Sequence, residues 1–189
     1  MTQIIKYDSL INPDKIFVCF DTETTGLNPL YDRIIEIAAV KIKNGKVIGE
    51  FEELVNPNMP IPEESTKVHG ITDNDVVGKE SIEKVLPRFL SFIENTILIA
   101  HNAQFDIDFV NNSAKKSNIS LMNNDYIDTL PMSRKAFPGR KSYSLQNMAK
   151  DFNIKVTAAH RALDDTRVCY RLFELCHDKL NPAKQASLF

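Results

Sequence analysis

Two carboxylates follow the first strongly apolar segment of the sequence. Residues 16–20 read Ile-Phe-Val-Cys-Phe, and Asp21 and Glu23 come next with one residue between them. Because side chains alternate between the two faces of a strand, an extended backbone through residue 23 places both carboxylates on one side. Two such charges either share a proton or hold a divalent cation such as Mg²⁺ or Mn²⁺. The alternative is an ordinary solvated strand end.

Further ionisable residues with possible catalytic roles occur later in the chain. Asp106 follows a predicted strand-to-helix turn, and His160, Asp164 and Asp165 open the last predicted helix. Taken singly, the aspartates have a structural explanation, since carboxylates stabilise helix N-termini, and a lone histidine has a structural role in many proteins. Together with Asp21, they suggest a site assembled from distant segments.

Hydrophobic patterning predicts the elements that position these residues. Strands are predicted at residues 16–20, 34–42, 47–55, 97–100 and 126–129, and helices at residues 63–68, 82–93, 129–136, 144–152 and 160–180, with a further helix that carries Phe105 to Val110. The Asn44-Gly45 pair predicts a hairpin, so the first three strands form an antiparallel meander. Pro87 conflicts with the helix around it. The pattern predicts an α/β domain.

Composition limits the class of protein. The chain has 189 residues, of which 43% are hydrophobic and 25% charged, as in an ordinary globular domain. No apolar run approaches the roughly 20 residues of a membrane span, and the first residues lack the apolar core of a secretory signal, so we expect a cytoplasmic protein. The three cysteines lack zinc-site spacing, which favours reduced core thiols. A net charge of -2 gives no general attraction to nucleic acid, so any binding needs local basic patches or metal.

The candidate residues lie in three ordered motifs that closely resemble those of the DnaQ-like exonucleases, a family named for four acidic residues and a histidine. The resemblance extends over residues 16–176, and its motifs are Asp-Thr-Glu-Thr-Thr-Gly at 21–26, His-Asn-Ala-Gln-Phe-Asp at 101–106 and His-Arg-Ala-Leu-Asp-Asp at 160–165. The segments 69–72 and 142–145 resemble the proofreading branch, which includes the epsilon subunit of bacterial DNA polymerase III. The resemblance implies a ribonuclease H-like fold, a mixed sheet flanked by helices.

The same resemblance implies the roles of the catalytic residues in a two-metal 3′-to-5′ exonuclease. Asp21, Glu23 and Asp165 would hold one Mg²⁺ or Mn²⁺ ion, Asp21 and Asp106 would support a second, and His160 would accept the proton of the attacking water. Family spacing selects Asp165 as the fourth acid, although helix periodicity from His160 favours Asp164. Asp164 is therefore interpreted as a cap or surface residue, and Asp108 and Glu36 as solvent-exposed or structural carboxylates.

Contacts with the substrate are expected at two places. The resemblance implies that Thr24 and His69 contact the terminal nucleotide, which we favour over the alternatives of a turn hydroxyl and a helix-end histidine. Arg140, Lys141 and Tyr143 lie in a basic and aromatic segment that could carry the incoming strand by phosphate attraction and base stacking. A solvated charged loop is the alternative.

The last five residues resemble the pentapeptide with which bacterial proteins bind the sliding clamp. Gln185, Leu188 and Phe189 match its pattern, whereas Ala186 stands where the pattern usually has Leu. The sequence is therefore divided into an exonuclease domain, residues 1–181, and a tail, residues 182–189, for which clamp binding is expected. A frayed polar terminus is the alternative.

Three functions are compatible with these observations. The leading hypothesis is an exonuclease that removes nucleoside monophosphates from DNA 3′ ends in proofreading or repair, with a replicative polymerase as a further partner. The second is an exoribonuclease that trims RNA 3′ ends or short oligoribonucleotides, because such enzymes share the same acids and histidine. The third is a noncatalytic clamp-binding scaffold, which predicts eroded acidic positions, whereas all four acids and His160 are present.

Overall fold

Five strands form one mixed sheet in the computed structural model, which describes residues 15–156 and 161–182. The strands are β1 (Ile16–Thr24), β2 (Ile34–Lys43), β3 (Lys46–Leu54), β4 (Ile97–Ala100) and β5 (Tyr126–Asp128). The helices are α1 (Glu63–His69), α2 (Asp73–Val76), α3 (Ile82–Ile93), α4 (Ala103–Lys116), α5 (Thr129–Ala136), α6 (Leu145–Asp151) and α7 (Ala162–Leu180).

The strand order is β3-β2-β1-β4-β5. The first three strands form an antiparallel meander, while β4 runs parallel to β1 and β5 runs parallel to β4. Asn44 and Gly45 connect β2 to β3 with φ angles of 52° and 70°, the left-handed conformation that such a tight hairpin requires. The predicted α/β fold, an antiparallel meander combined with parallel strands, is confirmed.

The central strand β1 separates two hydrophobic cores. Val18 and Phe20 pack in the core that includes residues of α3 and α4, whereas Cys19 packs in the core that includes residues of α5 and α7. The strand continues to Thr24, beyond the apolar segment 16–20 predicted from the sequence. Because side chains alternate, odd-numbered residues of β1 point towards α7 and even-numbered residues towards α4.

The α3 helix continues through Pro87 despite the missing backbone donor. Pro87 is exposed, so water can hydrogen-bond the carbonyl that the proline leaves without a partner. Val85, Leu86 and Phe89 are buried on the opposite side. Packing of this apolar face outweighs the cost of the proline, and the predicted helix is confirmed.

Two expectations from composition can also be compared with the structure. Cys19, Cys169 and Cys176 are buried free thiols, as predicted. Among residues 15–156 and 161–182, no helix combines the length and the apolar character needed to cross a lipid bilayer.

Candidate active site

Asp21 and Glu23 lie near the end of β1, the central strand of the sheet. β1 pairs with β2 on one side and with β4 on the other, so its backbone has little freedom. Both residues are partly buried, and both are odd-numbered positions that point towards α7. The strand therefore presents two carboxylates on one face, as the alternation of its sequence predicts.

Asp165 completes a group of three carboxylates. It lies in the first turn of α7, where its N–H donates to the Arg161 carbonyl at 3.1 Å. Asp21, Glu23 and Asp165 each offer an oxygen atom, and these atoms all lie within 4.8 Å of one another. The structure thus brings together residues from the two ends of the sequence, 142 positions apart between Glu23 and Asp165.

Asp106 approaches the same cavity from the other side of β1. It lies in the first turn of α4 and is only 3% exposed. The Thr22 N–H and the Thr22 hydroxyl donate to Asp106 Oδ1 at 3.0 and 2.7 Å. A cavity of about 220 Å³ is lined by Asp106 together with Asp21, Glu23 and Asp165. Thr22, between the two carboxylates of β1, therefore fixes the fourth.

The carboxylates are strongly perturbed by burial and by one another. Burial raises the pKa of Asp21 well above its ordinary value, and the charge of Asp106 raises it further. Burial also raises the pKa of Glu23 from 4.5 to about 8, with added repulsion from Asp165 and Glu36. For Asp106, burial raises the pKa to about 7, although the hydrogen bonds from Thr22 act in the opposite direction. Positive charge at this position would relieve the repulsion.

The donor set fits divalent cations. Carboxylate oxygens are the ligands that hard cations such as Mg²⁺ and Mn²⁺ prefer, and carboxylates from separate elements converge here in a small open cavity. A cation between Asp21, Glu23 and Asp165 would replace mutual repulsion by attraction. The acidic cluster is therefore compatible with the binding of divalent metal.

Gln146 is a neighbour of the carboxylates that the sequence did not reveal. Its Nε2 donates to Asp165 Oδ1 at 2.6 Å, and it lines the same cavity. It lies in the short helix α6, which begins at the segment 142–145 noted for its resemblance to the proofreading branch. Glutamine is common on helix surfaces, so its residue type gives no signal of a role at the site. Only the position of α6 against α7 identifies Gln146 as a neighbour of the carboxylates.

The start of α4 is fixed by Asp128 at the end of β5. Asp128 Oδ1 accepts from Asn102 N–H at 2.9 Å, and Asp128 Oδ2 accepts from Ala103 N–H at 3.1 Å. Asn102 has the left-handed φ of 66°, which asparagine tolerates better than most residues. These bonds position the first turn of α4, and with it Asp106.

His101 has a structural role in this arrangement. Its Nε2 lies 2.8 Å from the Tyr143 carbonyl, which can only accept, so this nitrogen carries the proton. Its Nδ1 lies 2.8 Å from the Thr129 hydroxyl, and burial lowers the pKa of His101, so the ring is neutral and Nδ1 accepts. Both ring nitrogens therefore form hydrogen bonds, which connect the end of β4 to α5 and to the loop before α6.

A second, larger cavity lies beside the carboxylates. It has a volume of about 500 Å³, and residues from β1, the following turn, α1 and α4 line it. Thr24 and His69, predicted to contact the terminal nucleotide, are among them, together with Phe105. The Thr24 hydroxyl donates to the Gly26 carbonyl at 2.6 Å, and His69 Nδ1 accepts from Ile71 N–H at 3.0 Å. Both predicted residues thus face one cavity next to the acids.

The three residues predicted to carry the incoming strand lie between α5 and α6. Arg140 forms an ion pair with Asp151, and its guanidinium lies 4.5 Å from the centre of the Phe152 ring. The Tyr143 hydroxyl donates to the Phe137 carbonyl at 2.8 Å. Lys141 is exposed. Arg140 and Tyr143 therefore make contacts within the protein, while Lys141 extends from the surface.

The environment of Asp164 differs from the one predicted, that of a cap or surface residue. It is only 9% exposed, and Arg167 Nη1 lies 3.4 Å from its Oδ1. Arg167 also pairs with Glu50 of β3 at 2.9 Å. Because neighbouring positions on a helix point about 100° apart, Asp164 faces this ion-pair group while Asp165 faces the cavity.

Several predicted residues lie outside the described part of the chain. His160 directly precedes Arg161, at which the described residues resume. Gln185, Leu188 and Phe189 of the predicted clamp-binding tail also lie outside it. Their assignments stay predictions from the sequence.

The fold and the acidic site together define a class. A mixed sheet whose central strand ends in two carboxylates, faced by two further carboxylates on flanking helices, is the arrangement of the ribonuclease H-like nucleases. The chain belongs to the exonuclease family, because the sequence profile described as Exonuclease matches residues 18–173.

Individual relatives agree with this assignment. DNA polymerase III subunit epsilon of Treponema pallidum is 43% identical over 159 residues, which cover 83% of this chain and 74% of that protein. DNA polymerase III PolC-type of Caldanaerobacter subterraneus subsp. tengcongensis is 43% identical over 164 residues, 87% of this chain but only 12% of the relative. The chain thus spans about an eighth of the length of the PolC-type relatives that it matches.

A solved structure is also similar. Exonuclease X in complex with 5′ overhanging duplex DNA is 29% identical, with a TM-score of 0.68 over 89% of this chain and 93% of that chain. The likeness covers nearly all of both chains and agrees with the ribonuclease H-like fold.

Proposed function

We propose that this chain is a metal-dependent 3′-to-5′ exonuclease that hydrolyses phosphodiester bonds at DNA 3′ ends, releases nucleoside monophosphates and acts in proofreading or repair. The observation that carries the proposal is the convergence of Asp21, Glu23 and Asp165 within 4.8 Å, beside Asp106. Relatives named as DNA polymerase III components favour DNA as the substrate. The proposed exonuclease domain is residues 1–181.

The carboxylates would hold two divalent cations, Mg²⁺ or Mn²⁺. Asp21, Glu23 and Asp165 would bind one, and Asp21 with Asp106 would bind the other. When bound, such a pair of ions activates a water molecule and stabilises charge on the attacking and leaving oxygens. The rigid pairing of β1 and the Thr22 hydrogen bonds to Asp106 hold these ligands in place.

His160 would serve as the general base. A neutral imidazole with an ordinary pKa of about 6.5 can accept the proton of an attacking water near neutral pH. His160 directly precedes Arg161 in sequence, and Arg161 is the N-cap residue of the helix that carries Asp165.

The 500 Å³ cavity would receive the terminal nucleotide. Its volume lies in the range of about 300 to 1,000 Å³ typical of small-ligand sites. Phe105, which also lines the carboxylate cavity, offers an aromatic surface for base stacking, and Thr24 and His69 offer polar contacts. A nucleotide held here would place its phosphate at the carboxylates.

The remaining proposed contacts involve the incoming strand and protein partners. Exposed Lys141 would attract a phosphate of the strand, supported by the internal contacts of Arg140 and Tyr143. The tail, residues 182–189, would bind a sliding clamp, and a replicative polymerase would be a further partner. A chain that ends at Pro182 should lose clamp affinity in a binding titration, and unchanged affinity would refute that contact.

The proposed function is tested by digestion of a 5′-labelled oligonucleotide with Mg²⁺. We expect a ladder of labelled products that shortens from the 3′ end, with release of mononucleotides. Single-stranded or mismatched DNA should be digested faster than RNA of the same sequence. EDTA should abolish it. Digestion of RNA in preference to DNA would support the exoribonuclease alternative, and the absence of digestion of every substrate would refute the proposal.

Variants assign the reaction to the site. Asp165→Asn and His160→Ala should lower the rate by about 10² to 10⁴-fold, the usual contribution of such groups. Asp164→Asn is the matched control, since the adjacent carboxylate faces Arg167 rather than the cavity. Full activity of the first two variants would overturn the assignment.

A further inference from the structure

Glu36 is a buried carboxylate to which the proposed mechanism gives no role. It lies in β2, its side chain is fully buried, and it is the direct partner of Glu23 in the antiparallel pairing of β1 and β2. Directly opposed residues of such a pair project to the same face. Glu36 therefore lies on the side of the sheet from which Asp21 and Glu23 point towards α7.

Glu36 is bound to the beginning of α7 by three hydrogen bonds. Arg161 Nη2 donates to Glu36 Oε1 at 2.8 Å, and Arg161 Nε donates to Glu36 Oε2 at 3.5 Å. The Ala162 N–H donates to Glu36 Oε2 at 3.0 Å. One carboxylate thus binds both the side chain of the N-cap residue and the first backbone donor of the helix.

This contact takes the place of an ordinary helix cap. Arg161 at the N-cap cannot accept a hydrogen bond with its side chain, so the first N–H groups of α7 need an acceptor from elsewhere. Glu36 supplies it from the neighbouring strand. The next bond of the helix, from Asp165 N–H to the Arg161 carbonyl, then leads directly to the metal-binding carboxylate.

The ion pair between Glu36 and Arg161 is not explained by stability alone. A buried carboxylate carries a large desolvation cost, and an apolar pair of similar shape often stabilises a fold equally well or better. Glu36 also adds a negative charge beside Glu23, which the guanidinium of Arg161 offsets. The arrangement does, however, fix the position of two elements with a directional contact of well-defined geometry.

We propose that Glu36 and Arg161 form a positioning clamp that holds the first turn of α7 against β2, so that Asp165 lies opposite Asp21 and Glu23 at the distance that divalent cation binding requires. The clamp rests on the proposed function of the carboxylates and assigns a role to two residues that touch neither the metal nor the substrate. It acts through the position of Asp165.

The test is Mn²⁺ binding by Glu36→Gln in the full chain without nucleic acid, measured by isothermal titration calorimetry. Glutamine keeps the size of the side chain but loses the charge and one acceptor. We expect Mn²⁺ affinity to fall by about 10- to 100-fold, the usual effect of removing a partner that orients a metal ligand. The rate of oligonucleotide digestion at saturating DNA should fall as well, with little change in KM, and raised Mn²⁺ should restore it.

A matched control is available on the same helix. Glu50→Gln breaks the ion pair between Glu50 of β3 and Arg167 of α7, which also joins the meander to α7 but is exposed at both partners. It should leave Mn²⁺ affinity unchanged. Equal weakening in both variants would show that the loss of any contact between α7 and the sheet lowers Mn²⁺ affinity, and would overturn the clamp.

Arg161→Lys covers the case in which Glu36→Gln does not fold. Its side chain is 44% exposed, and lysine keeps the charge but cannot form the two-pronged contact. We expect Mn²⁺ affinity to fall about 3- to 10-fold at an unchanged unfolding temperature. Wild-type affinity in a folded Glu36→Gln or in Arg161→Lys overturns the proposal.

The clamp and the proposed function can fail separately. If the wild type digests no nucleic acid but binds Mn²⁺ with an affinity that falls in Glu36→Gln, the proposed function is refuted and the clamp stands. Digestion together with clamp-independent Mn²⁺ binding would refute the clamp alone. A wild type that binds no Mn²⁺ would refute both.

Discussion

Neutralising Glu23 should stabilise the metal-free protein at alkaline pH while abolishing its response to divalent cations. The pKa of Glu23 in the folded chain is raised from 4.5 to about 8, chiefly by burial and by the charge of Asp165. The folded state therefore binds this proton more tightly than the unfolded state does. By linkage, the free energy of unfolding falls as pH rises from about 4.5 to about 8.

The magnitude follows from the size of the pKa shift. A change from 4.5 to about 8 at about 1.4 kcal/mol per unit corresponds to about 5 kcal/mol. Glu23 is only partly buried, so solvent screening reduces this value, and we expect Glu23→Gln to stabilise the metal-free chain by about 2 to 3 kcal/mol at pH 8. At pH 5 the gain should be below about 1 kcal/mol, because the destabilisation by Glu23 accumulates only as the pH rises above about 4.5.

The assay is thermal unfolding in EDTA and in Mn²⁺ between pH 5 and pH 9. In EDTA at pH 8, the variant should unfold about 4 to 12 °C above the wild type, at the 2 to 4 °C per kcal/mol usual for a chain of this size. Mn²⁺ should raise the unfolding temperature of the wild type, because ligands that bind only the folded state stabilise it. The variant should show little such rise.

Glu94→Gln is the control for the loss of a glutamate charge, because Glu94 is exposed at the end of α3. It should change neither the pH dependence nor the response to Mn²⁺. A Glu23→Gln chain that is no more stable than the wild type at pH 8, or that keeps the full response to Mn²⁺, would contradict the description of Glu23 as a repelled carboxylate that a cation stabilises.

Three further predictions concern the residues that position the acids. Thr22→Val removes the hydroxyl donor to Asp106 but keeps the side-chain shape and the backbone donor, so we expect about a tenfold loss of digestion rate and about 1 to 2 kcal/mol of stability in urea unfolding; wild-type kinetics would exclude a role for the hydroxyl. Gln146→Leu removes the donor to Asp165 Oδ1 and should weaken Mn²⁺ binding about tenfold in calorimetry; unchanged affinity would show that Asp165 is oriented without it. Asp128→Ala removes the acceptor of backbone N–H groups at the start of α4 and should cost about 2 to 4 kcal/mol in urea unfolding, whereas a cost below about 1 kcal/mol would show that water replaces it.

Much of the fold could be predicted because its signals are local. The hydrophobic runs and the Asn44-Gly45 turn predict the meander from the sequence alone, and helical spacing predicts α3 in spite of Pro87. The strand boundary at residue 20 was too early, since polar residues at the end of β1 conceal its continuation to Thr24. Pairing with β2 maintains the extended backbone there, and no local sequence pattern indicates this pairing.

The residues of the candidate site were likewise only partly predictable from the sequence. Asp21, Glu23, Asp106 and Asp165 could be named because their motifs recur in order and with family spacing. The sequence interprets Glu36 as a solvent-exposed or structural carboxylate, and the structure agrees with the second alternative, since Glu36 is fully buried and bound to α7. A glutamate in a strand has no neighbours in sequence that reveal its partner, which lies 125 positions later.

By itself, the sequence determined which acidic residues are candidates for the chemistry and which elements bear them, because residue type and periodicity can be read along the chain. Only the tertiary structure decided how these residues act on one another. Thr22 holds Asp106, Gln146 holds Asp165, and Glu36 binds the helix that bears Asp165, since each contact depends on strand register and on the rotation of a helix against the sheet. Those quantities follow from packing between distant segments, and spacing along the chain does not contain them.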